Sequence, residues 1–166
     1  MTTAICSGSF DPITVGHLDL VERAAKLFDR VILCVVVNGE KKPRYTTEER
    51  LAMAQAALRR IPNADAEAWD GLLVDFAKKN NAQALIRGVR GTMDMDWEYQ
   101  LAQINRDLCP ELDTVFLPAR PEYIHVSSTL AREMVRCHQD LAAYVPAGAV
   151  EILQKIEEGK VIDYGK

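Results

Sequence analysis

The sequence predicts an α/β fold: a Rossmann-like single domain over residues 1–166, with a five-stranded parallel sheet and a helical C-terminal region. Short β-branched runs alternate with amphipathic stretches, which is typical of βαβ units with right-handed crossovers. The near-continuous apolar run RVILCVVVN at 30–38 is typical of a strand that is covered on both faces. A chain of 166 residues, 48% of them hydrophobic, has the size of one compact domain.

Five strands are predicted from runs that are short, apolar and bounded by polar residues. They are TAIC at 3–6, RVILCVVVN at 30–38, AEAW at 66–69, QALIRG at 83–88 and DTVFLPA at 113–119. We expect the strand order to switch between the first strand and the strand that ends at Ile86. We also expect the second strand to lie inside the sheet.

Helical spacing of apolar residues predicts the connecting elements. The predicted helices are 17–28, 46–61, 72–80, 93–108, 127–145 and 147–159. Thr46 and Glu49 form a capping-box pattern, and Pro110 stops the fourth helix. Gly159 is expected at the C′ position of the last helix, where glycine is common.

Composition limits the classes of partner. A net charge of −4 and a pI near 5.4 argue against nucleic acid or an anionic membrane as a partner. Cys6, Cys34, Cys109 and Cys137 are scattered without a CxxC pair, so neither a disulfide nor a metal-thiolate site is expected. No signal-peptide pattern and no stretch of membrane-spanning length is visible, and we expect a cytoplasmic protein.

The unusual residues follow the predicted strands. SGSFDPITVGH at 7–17 follows the first strand, NGEKKPR at 38–44 the second, RGVRG at 87–91 the fourth, and ARPEYIHVSST at 119–129 the fifth. In open α/β sheets, ligands bind beyond the carboxyl ends of the strands, at the switch in strand order. Cations, glycines and hydroxyls at these ends of an acidic chain predict a small polyanionic ligand.

Each of these residues also has an ordinary structural interpretation. Gly8 could simply end a strand, His17 could be a surface residue, and Lys41 with Lys42 could be a solvated face. One hydroxyl of the run 127–129 is explained as a helix N-cap. Taken together, they favour a phosphate cradle, in which Gly8 permits close approach, Ser9 and Phe10 offer N–H groups, and a helix N-terminus adds donors.

Several motifs together resemble one enzyme family. They are Gly8-Ser9-Phe10-Asp11-Pro12, Thr14-x-Gly16-His17, Lys41-Lys42-Pro43, Thr47-x-Glu49-Arg50, Leu85-Ile86-Arg87-Gly88-Val89-Arg90, Glu98-Tyr99-Gln100 and Ser127-Ser128-Thr129. In order and spacing they resemble bacterial phosphopantetheine adenylyltransferase, of the HxGH nucleotidylyltransferase superfamily. The chain departs from that pattern at Ser7, where proline is expected, and at Ser9, where some members have threonine.

The resemblance implies transfer of AMP from ATP to 4′-phosphopantetheine, giving 3′-dephospho-coenzyme A and pyrophosphate in the penultimate step of coenzyme A synthesis. By motif position, Ser9, Lys41, Leu73 and Arg87 would contact phosphopantetheine. ATP would be held by Ser9, Phe10, His17, Gly88, Val89, Arg90, Glu98, Tyr123, Ile124, His125, Val126, Ser127, Ser128 and Thr129. The resemblance also implies Mg²⁺, feedback binding of coenzyme A, and a homohexamer. In this sequence no carboxylate cluster resembles a dedicated Mg²⁺ site, which agrees with an ion held by phosphates and water.

The catalytic residues implied are His17, Lys41, Arg90 and Ser9, acting as fixed donors rather than as a general base. A phosphate monoester has a second pKa near about 6, so at neutral pH little proton is left to remove. Two alternatives stay open at this point. One is another small-substrate nucleotidylyltransferase, acting on nicotinamide mononucleotide or a phosphorylated alcohol; the other is a non-catalytic nucleotide-binding regulator.

Overall fold

One parallel five-stranded sheet organises the computed structural model, which describes residues 1–37, 39 and 42–163. Its strands are β1 (Thr3–Gly8), β2 (Arg30–Val37), β3 (Ala64–Asp70), β4 (Ala84–Val89) and β5 (Asp113–Pro118). The order is β3-β2-β1-β4-β5, and every neighbouring pair is parallel. The fold class is confirmed, and the strand order switches between β1 and β4, as the sequence predicts.

Helices cover both faces of the sheet. They are α1 (Val15–Ala24), α2 (Thr47–Leu58), α3 (Leu73–Lys79), α4 (Thr92–Leu108), α5 (Ser128–Arg136) and α6 (Ala147–Asp163), with a 3₁₀ turn at Pro121–Tyr123. Alternate residues of a strand point to opposite faces. Ala4 and Cys6 of β1 pack in the core cluster that includes residues of α1, α2, α5 and α6, whereas Ile5 packs in the cluster that includes residues of α3.

The C-terminal ends of three helices differ from the predictions by four residues or more. α1 ends at Ala24, where the bonding pattern tightens: the N–H groups of Lys26 and Leu27 donate to carbonyls three residues back, those of Arg23 and Ala24. The predicted helix 127–145 ends at Arg136, since His138 has a left-handed backbone with φ of 53°. α6 continues through Gly159, which is therefore not at the C′ position. The capping box of α2 is confirmed: Thr46 and Glu49 exchange hydrogen bonds of 2.8 and 3.2 Å.

All four cysteines are free thiols, three of them buried. Burial raises the pKa of both Cys6 and Cys34 to about 12, so these thiols stay protonated and act as small hydrophobic groups. In the part of the chain that the structure describes, no helix is long and apolar enough to cross a membrane.

The contact between α2 and α6 gives a prediction on stability. A Cβ built at Gly148 would lie 2.5 Å from the carbonyl oxygen of Ala56, so the two helices meet there backbone to backbone. We expect Gly148→Ala to lower the free energy of unfolding by about 1–3 kcal/mol through overpacking. Gly159→Ala is the matched control, because a Cβ built at Gly159 would meet no described residue outside its own helix within 4 Å. Alanine should there stabilise the helix by about 1 kcal/mol. Equal effects of the two substitutions in urea unfolding would contradict this packing argument.

Candidate active site

A cavity of about 390 Å³ opens at the carboxyl ends of β1 and β4, beside the switch in strand order. One wall is α1, and the opposite side is formed by β4, the end of β5, the 3₁₀ turn and the start of α5. Phe10, Gly16, His17 and Arg90 are among the residues that line it. The cavity lies where the topology of the sheet predicts a ligand site.

His17 stands at the N-terminus of α1 and is part of its cap. Thr14 is the N-cap residue, and its backbone N–H donates to Nδ1 of His17 at 3.1 Å. The Phe10 ring packs against the imidazole in a T-shaped arrangement, with 5.0 Å between the ring centroids. Because Nδ1 accepts a hydrogen bond, the neutral imidazole carries its hydrogen on Nε2. His17 can therefore donate to an anion while it also caps the helix.

The charge state of His17 is set by its surroundings. Desolvation, with the positive charges of Arg90 and Arg87 as smaller causes, lowers the pKa of His17 from 6.5 to about 4. At neutral pH the imidazole in the unliganded protein is neutral. It offers an N–H group rather than a positive charge.

This lowered pKa predicts how stability depends on pH. Between pH 6.5 and about 4 the unfolded chain binds a proton at His17 that the folded chain does not, so acid favours unfolding. The part of the stability that depends on protonation of His17 should be nil above pH 6.5, increasingly unfavourable as the pH falls toward 4, and constant below that. Urea unfolding of the wild type and of His17→Ala at several pH values checks this. An assigned histidine ¹⁵N spectrum in which the His17 imidazole is cationic at pH 6 would contradict it.

The turn after β1 is fixed by packing and by one carboxylate. Phe10 has a φ of 46°, and a Cβ at Gly8 would lie 3.1 Å from its ring, so Gly8 makes room for Phe10. The Asp11 carboxylate accepts from the backbone N–H groups of Arg44 and Tyr45, each at 2.9 Å. This connection joins the turn to the segment that leads into α2.

Arg87 and Glu98, which the resemblance assigns to different substrates, form a bidentate ion pair. Nε and one terminal nitrogen of Arg87 donate to the two Glu98 oxygens at 2.6 and 2.7 Å. The other terminal nitrogen donates to the Ser7 carbonyl at 2.8 Å and to the Ser7 hydroxyl at 3.0 Å. The serine that replaces the expected proline thus adds a second acceptor for Arg87. A substrate phosphate that binds the Arg87 guanidinium must therefore share it with Glu98 and Ser7 or replace them.

The hydroxyl run at the start of α5 is tied to the protein itself. Ser127 is the N-cap and accepts from Leu130 N–H at 3.1 Å. Ser128 Oγ donates to the Pro12 carbonyl at 2.8 Å, and Thr129 Oγ1 accepts from Arg132 at 3.2 Å. All three side chains line the cavity. A helix N-terminus also supplies free N–H groups and a positive dipole end.

A second cavity, of about 350 Å³, shares Ser128 with the first. Ser9 lines this second cavity, together with Lys42, Arg50 and Arg132. Arg50 is 3% exposed, and its guanidinium donates to the carbonyls of Ser9 at 2.7 Å and Val36 at 3.3 Å. No carboxylate of the described residues forms an ion pair with Arg50. A third bond runs from its guanidinium to the Thr47 hydroxyl at 3.1 Å, so its charge is held by uncharged oxygens among the described residues.

The carboxylates of the main cavity already have protein partners. Glu98 is paired with Arg87, Asp94 accepts from the backbone N–H of Arg90 at 3.0 Å, and Asp19 is paired with arginines. Within the described part of the chain, no group of three or more His, Cys, Asp or Glu residues could hold a metal ion. These residues do not fit a resident Mg²⁺ site.

Comparison with known proteins agrees with this geometry. The cytidylyltransferase-like family matches residues 5–134. A phosphopantetheine adenylyltransferase from Shouchella clausii is 42% identical over 156 residues, which cover 94% of this chain and 98% of the relative. Proteins of the same name from Symbiobacterium thermophilum and Actinobacillus pleuropneumoniae serotype 3 are both 44% identical, over 88% and 93% of this chain and 90% and 98% of the relatives.

The chain belongs to the phosphopantetheine adenylyltransferase family. This is a family of nucleotidyltransferases, and the family resemblance stated from the motifs is confirmed.

The structure brings most of the residues that the family motif implies to one cavity. The cavity is lined by Phe10, His17, Arg87, Gly88, Arg90, Glu98, Tyr123, Val126, Ser127, Ser128 and Thr129. Ser9 lines the second cavity, whereas Leu73, Val89, Ile124 and His125 line neither. Lys41 lies outside the described residues.

Sequence reasoning missed Asp19, Arg23 and Arg120, which line the same cavity. Asp19 and Arg23 sit within an ordinary amphipathic helix pattern, so their spacing carried no signal. Arg120 stands about 100 residues further along the chain and meets them only in the folded protein.

Proposed function

We propose that this chain transfers AMP from ATP to 4′-phosphopantetheine, giving 3′-dephospho-coenzyme A and pyrophosphate. The proposal is supported chiefly by one observation: His17, Arg90 and the N-terminus of α5 surround a single cavity at the switch in strand order. Ten of the fourteen proposed ATP residues line this cavity, namely Phe10, His17, Gly88, Arg90, Glu98, Tyr123, Val126, Ser127, Ser128 and Thr129. Its relatives carry the name of this enzyme.

The proposed chemistry needs no general base. A phosphate oxygen of phosphopantetheine attacks the α-phosphorus of ATP, and the bond from that phosphorus to the bridging oxygen breaks as pyrophosphate leaves. The attacking phosphate is mostly a dianion at neutral pH, because its second pKa is about 6. Positioning and fixed donors then supply the catalysis.

The residues of this chain have separate parts in that step. Nε2–H of His17 donates to the α-phosphate, where negative charge builds up, and Arg90 offsets charge on the nucleotide. We propose Lys41 as a third donor and Ser9 as a contact to both substrates, from motif position. Leu73 and Arg87 would contact phosphopantetheine, and for Arg87 this requires a rearrangement of its contact with Glu98.

Mg²⁺ is proposed to enter with ATP, held by phosphate oxygens and water, as this ion often is at nucleotide sites. The carboxylates of the cavity support this proposal, because each already has a protein donor and they do not form a separate Mg²⁺ site. A cytoplasmic location is proposed as well, supported by four cysteines that are all free thiols.

One experiment separates the proposed reaction from its alternatives. The protein is mixed with ATP, Mg²⁺ and 4′-phosphopantetheine, and dephospho-coenzyme A is sought by mass spectrometry. Parallel reactions contain nicotinamide mononucleotide in place of phosphopantetheine, and pyrophosphate release is measured in both. Turnover with nicotinamide mononucleotide alone would favour another nucleotidylyltransferase, and ATP binding without any turnover would favour a regulator.

A homohexamer is also proposed, and one surface of α4 supports self-association. Met93, Trp97, Ile104 and Leu108 lie on one side of this helix and are 87%, 60%, 54% and 49% exposed. The sequence analysis identified no such stripe. An apolar helix face of this length is typical of a surface that is buried in an assembly. Sedimentation that shows a monomer at micromolar concentration would contradict the hexamer.

A further inference from the structure

The part of the main cavity beyond His17 contains a buried carboxylate with two arginines. Asp19 Oδ1 lies 2.9 Å from Nε of Arg120, and Oδ2 lies 3.4 Å from a terminal nitrogen of Arg23. The same Arg23 nitrogen donates to the carbonyl of Pro118 at 2.8 Å. Asp19 is itself 7% exposed, so its position is well fixed. It holds Arg120 at the wall of the cavity.

The surfaces beside this cluster are apolar and closely spaced. Gly88 faces Leu20 of α1, since a Cβ built at Gly88 would lie 3.5 Å from a methyl carbon of Leu20. Leu117 is the β5 partner of Gly88, and Leu117 and Ala119 also line the cavity. Gly88 and Leu20 are thus close neighbours and form one apolar wall of the cavity. We give the name apolar slot to the part of the cavity that is lined by this wall, Leu117 and Arg120. Apolar walls with a few polar groups suit a flat ring, whereas a phosphate needs converging donors.

The apolar slot and His17 lie at different positions along the same helix. His17 and Arg23 are six residues apart in α1, which corresponds to about 9 Å along the axis, and both line the cavity. An anion at the N-terminus of α1 and an aromatic ring farther along the helix could therefore belong to one molecule. A nucleotide has this arrangement, with its phosphate at one end and its base at the other.

We propose that Arg120 contacts the nucleobase of the bound nucleotide and that Asp19 positions it. The choice of ATP as that nucleotide rests on the proposed function. A guanidinium is planar and weakly hydrated, and it stacks on aromatic faces. The Asp19 contact uses Nε and leaves the Arg120 side chain 48% exposed at the cavity wall. Asp19 is a positioning residue, because it acts through Arg120.

Calorimetric binding of three probes tests this assignment without any turnover. The probes are ATP, AMP and inorganic tripolyphosphate, which has no base. Arg120→Ala should weaken binding of ATP and of AMP by about three- to tenfold, as expected for loss of one cation–π contact, and leave tripolyphosphate binding unchanged. Arg120→Lys keeps the charge but not the plane, and we expect it to lose nearly as much AMP affinity.

Two further variants serve as controls. Arg106 lies on α4, its side chain is 64% exposed, and it does not line the cavity. Arg106→Ala removes the same positive charge as Arg120→Ala, and it should leave AMP and ATP binding unchanged. Asp19→Asn should weaken AMP binding in the wild-type background and have no additional effect in the Arg120→Ala background. Independent, additive losses would contradict the positioning role of Asp19.

The remaining outcomes overturn the proposal or separate it from the proposed function. Weaker binding of ATP and tripolyphosphate with unchanged AMP binding would show that Arg120 contacts phosphate, and unchanged binding of all three probes would show that it contacts no nucleotide. If the wild type binds ATP but makes no dephospho-coenzyme A, the proposed function fails. The effect of Arg120→Ala on AMP binding would still support its contact with the base.

Discussion

Replacing His17 with alanine is expected to lower turnover by about 10²–10³-fold, because it removes one preorganised donor from the α-phosphate. Binding of ATP should change much less, since other residues of the cavity remain. The same substitution removes the acceptor of the Thr14 N–H, so the free energy of unfolding should fall by about 1 kcal/mol. Steady-state kinetics and urea unfolding measure the two effects.

His17→Gln is the matched variant for this prediction. Glutamine at this position of a capping box can accept from the Thr14 N–H, and its amide can also donate to an anion. We therefore expect it to recover the stability and part of the turnover. A pH–rate profile in which turnover requires a deprotonated His17 as base would overturn the donor role.

Replacing Arg87 with alanine should have the largest effect on stability. Glu98 is 7% exposed and loses both of its bonds to the guanidinium, which leaves a buried carboxylate without its partner. Breaking a buried pair in this way costs about 3–5 kcal/mol, and we expect a value near the lower limit because Arg87 is partly exposed. Chemical denaturation of Arg87→Ala and of Glu98→Gln measures this cost.

The substrate role of Arg87 needs a variant that folds. Arg87→Ala with Glu98→Ala removes both charges, and it should unfold at higher urea concentration than Arg87→Ala alone. Glu98→Ala alone is the reference, because Glu98 is itself a proposed ATP residue. Relative to it, the double variant should lose far more phosphopantetheine binding than ATP binding if Arg87 contacts the substrate phosphate. Equal losses for both ligands would count against the assignment.

The sequence predicted those parts of the fold that depend on local patterns. The apolar run of β2, the alternation of strands and helices and the capping box of Thr46 are each contained in a few neighbouring residues. The end of α5 could not be predicted, because it depends on the backbone conformation of His138 in an otherwise helical pattern. α6 passes through Gly159, because core contacts up to Ile156 hold the preceding turns and one glycine costs a helix only about 1 kcal/mol.

The sequence predicted those site residues that lie within a short motif at the end of a strand. His17 and Ser127 lie within short motifs at strand ends, and both line the cavity. The pairing of Arg87 with Glu98 could not be predicted from the sequence. Arg87 lies in β4 and Glu98 in α4, and the two side chains meet only when the helix packs against the sheet. The family motif suggests a contact to a different substrate for each of these two residues, but not that they would contact one another.

The buried guanidinium of Arg50 has a consequence for how substrates reach the protein. Its positive charge is held only by carbonyl and hydroxyl oxygens among the described residues, and these do not neutralise it. Arg50, Arg132 and Lys42 line the second cavity with one carboxylate, Asp11, which is paired with Arg132. The rim therefore carries a net positive charge on a chain whose net charge is −4. A low-dielectric cleft focuses such a field and accelerates the diffusional encounter with polyanions. The association rate of a nucleotide triphosphate should therefore fall as ionic strength rises, while that of an uncharged nucleoside stays nearly constant.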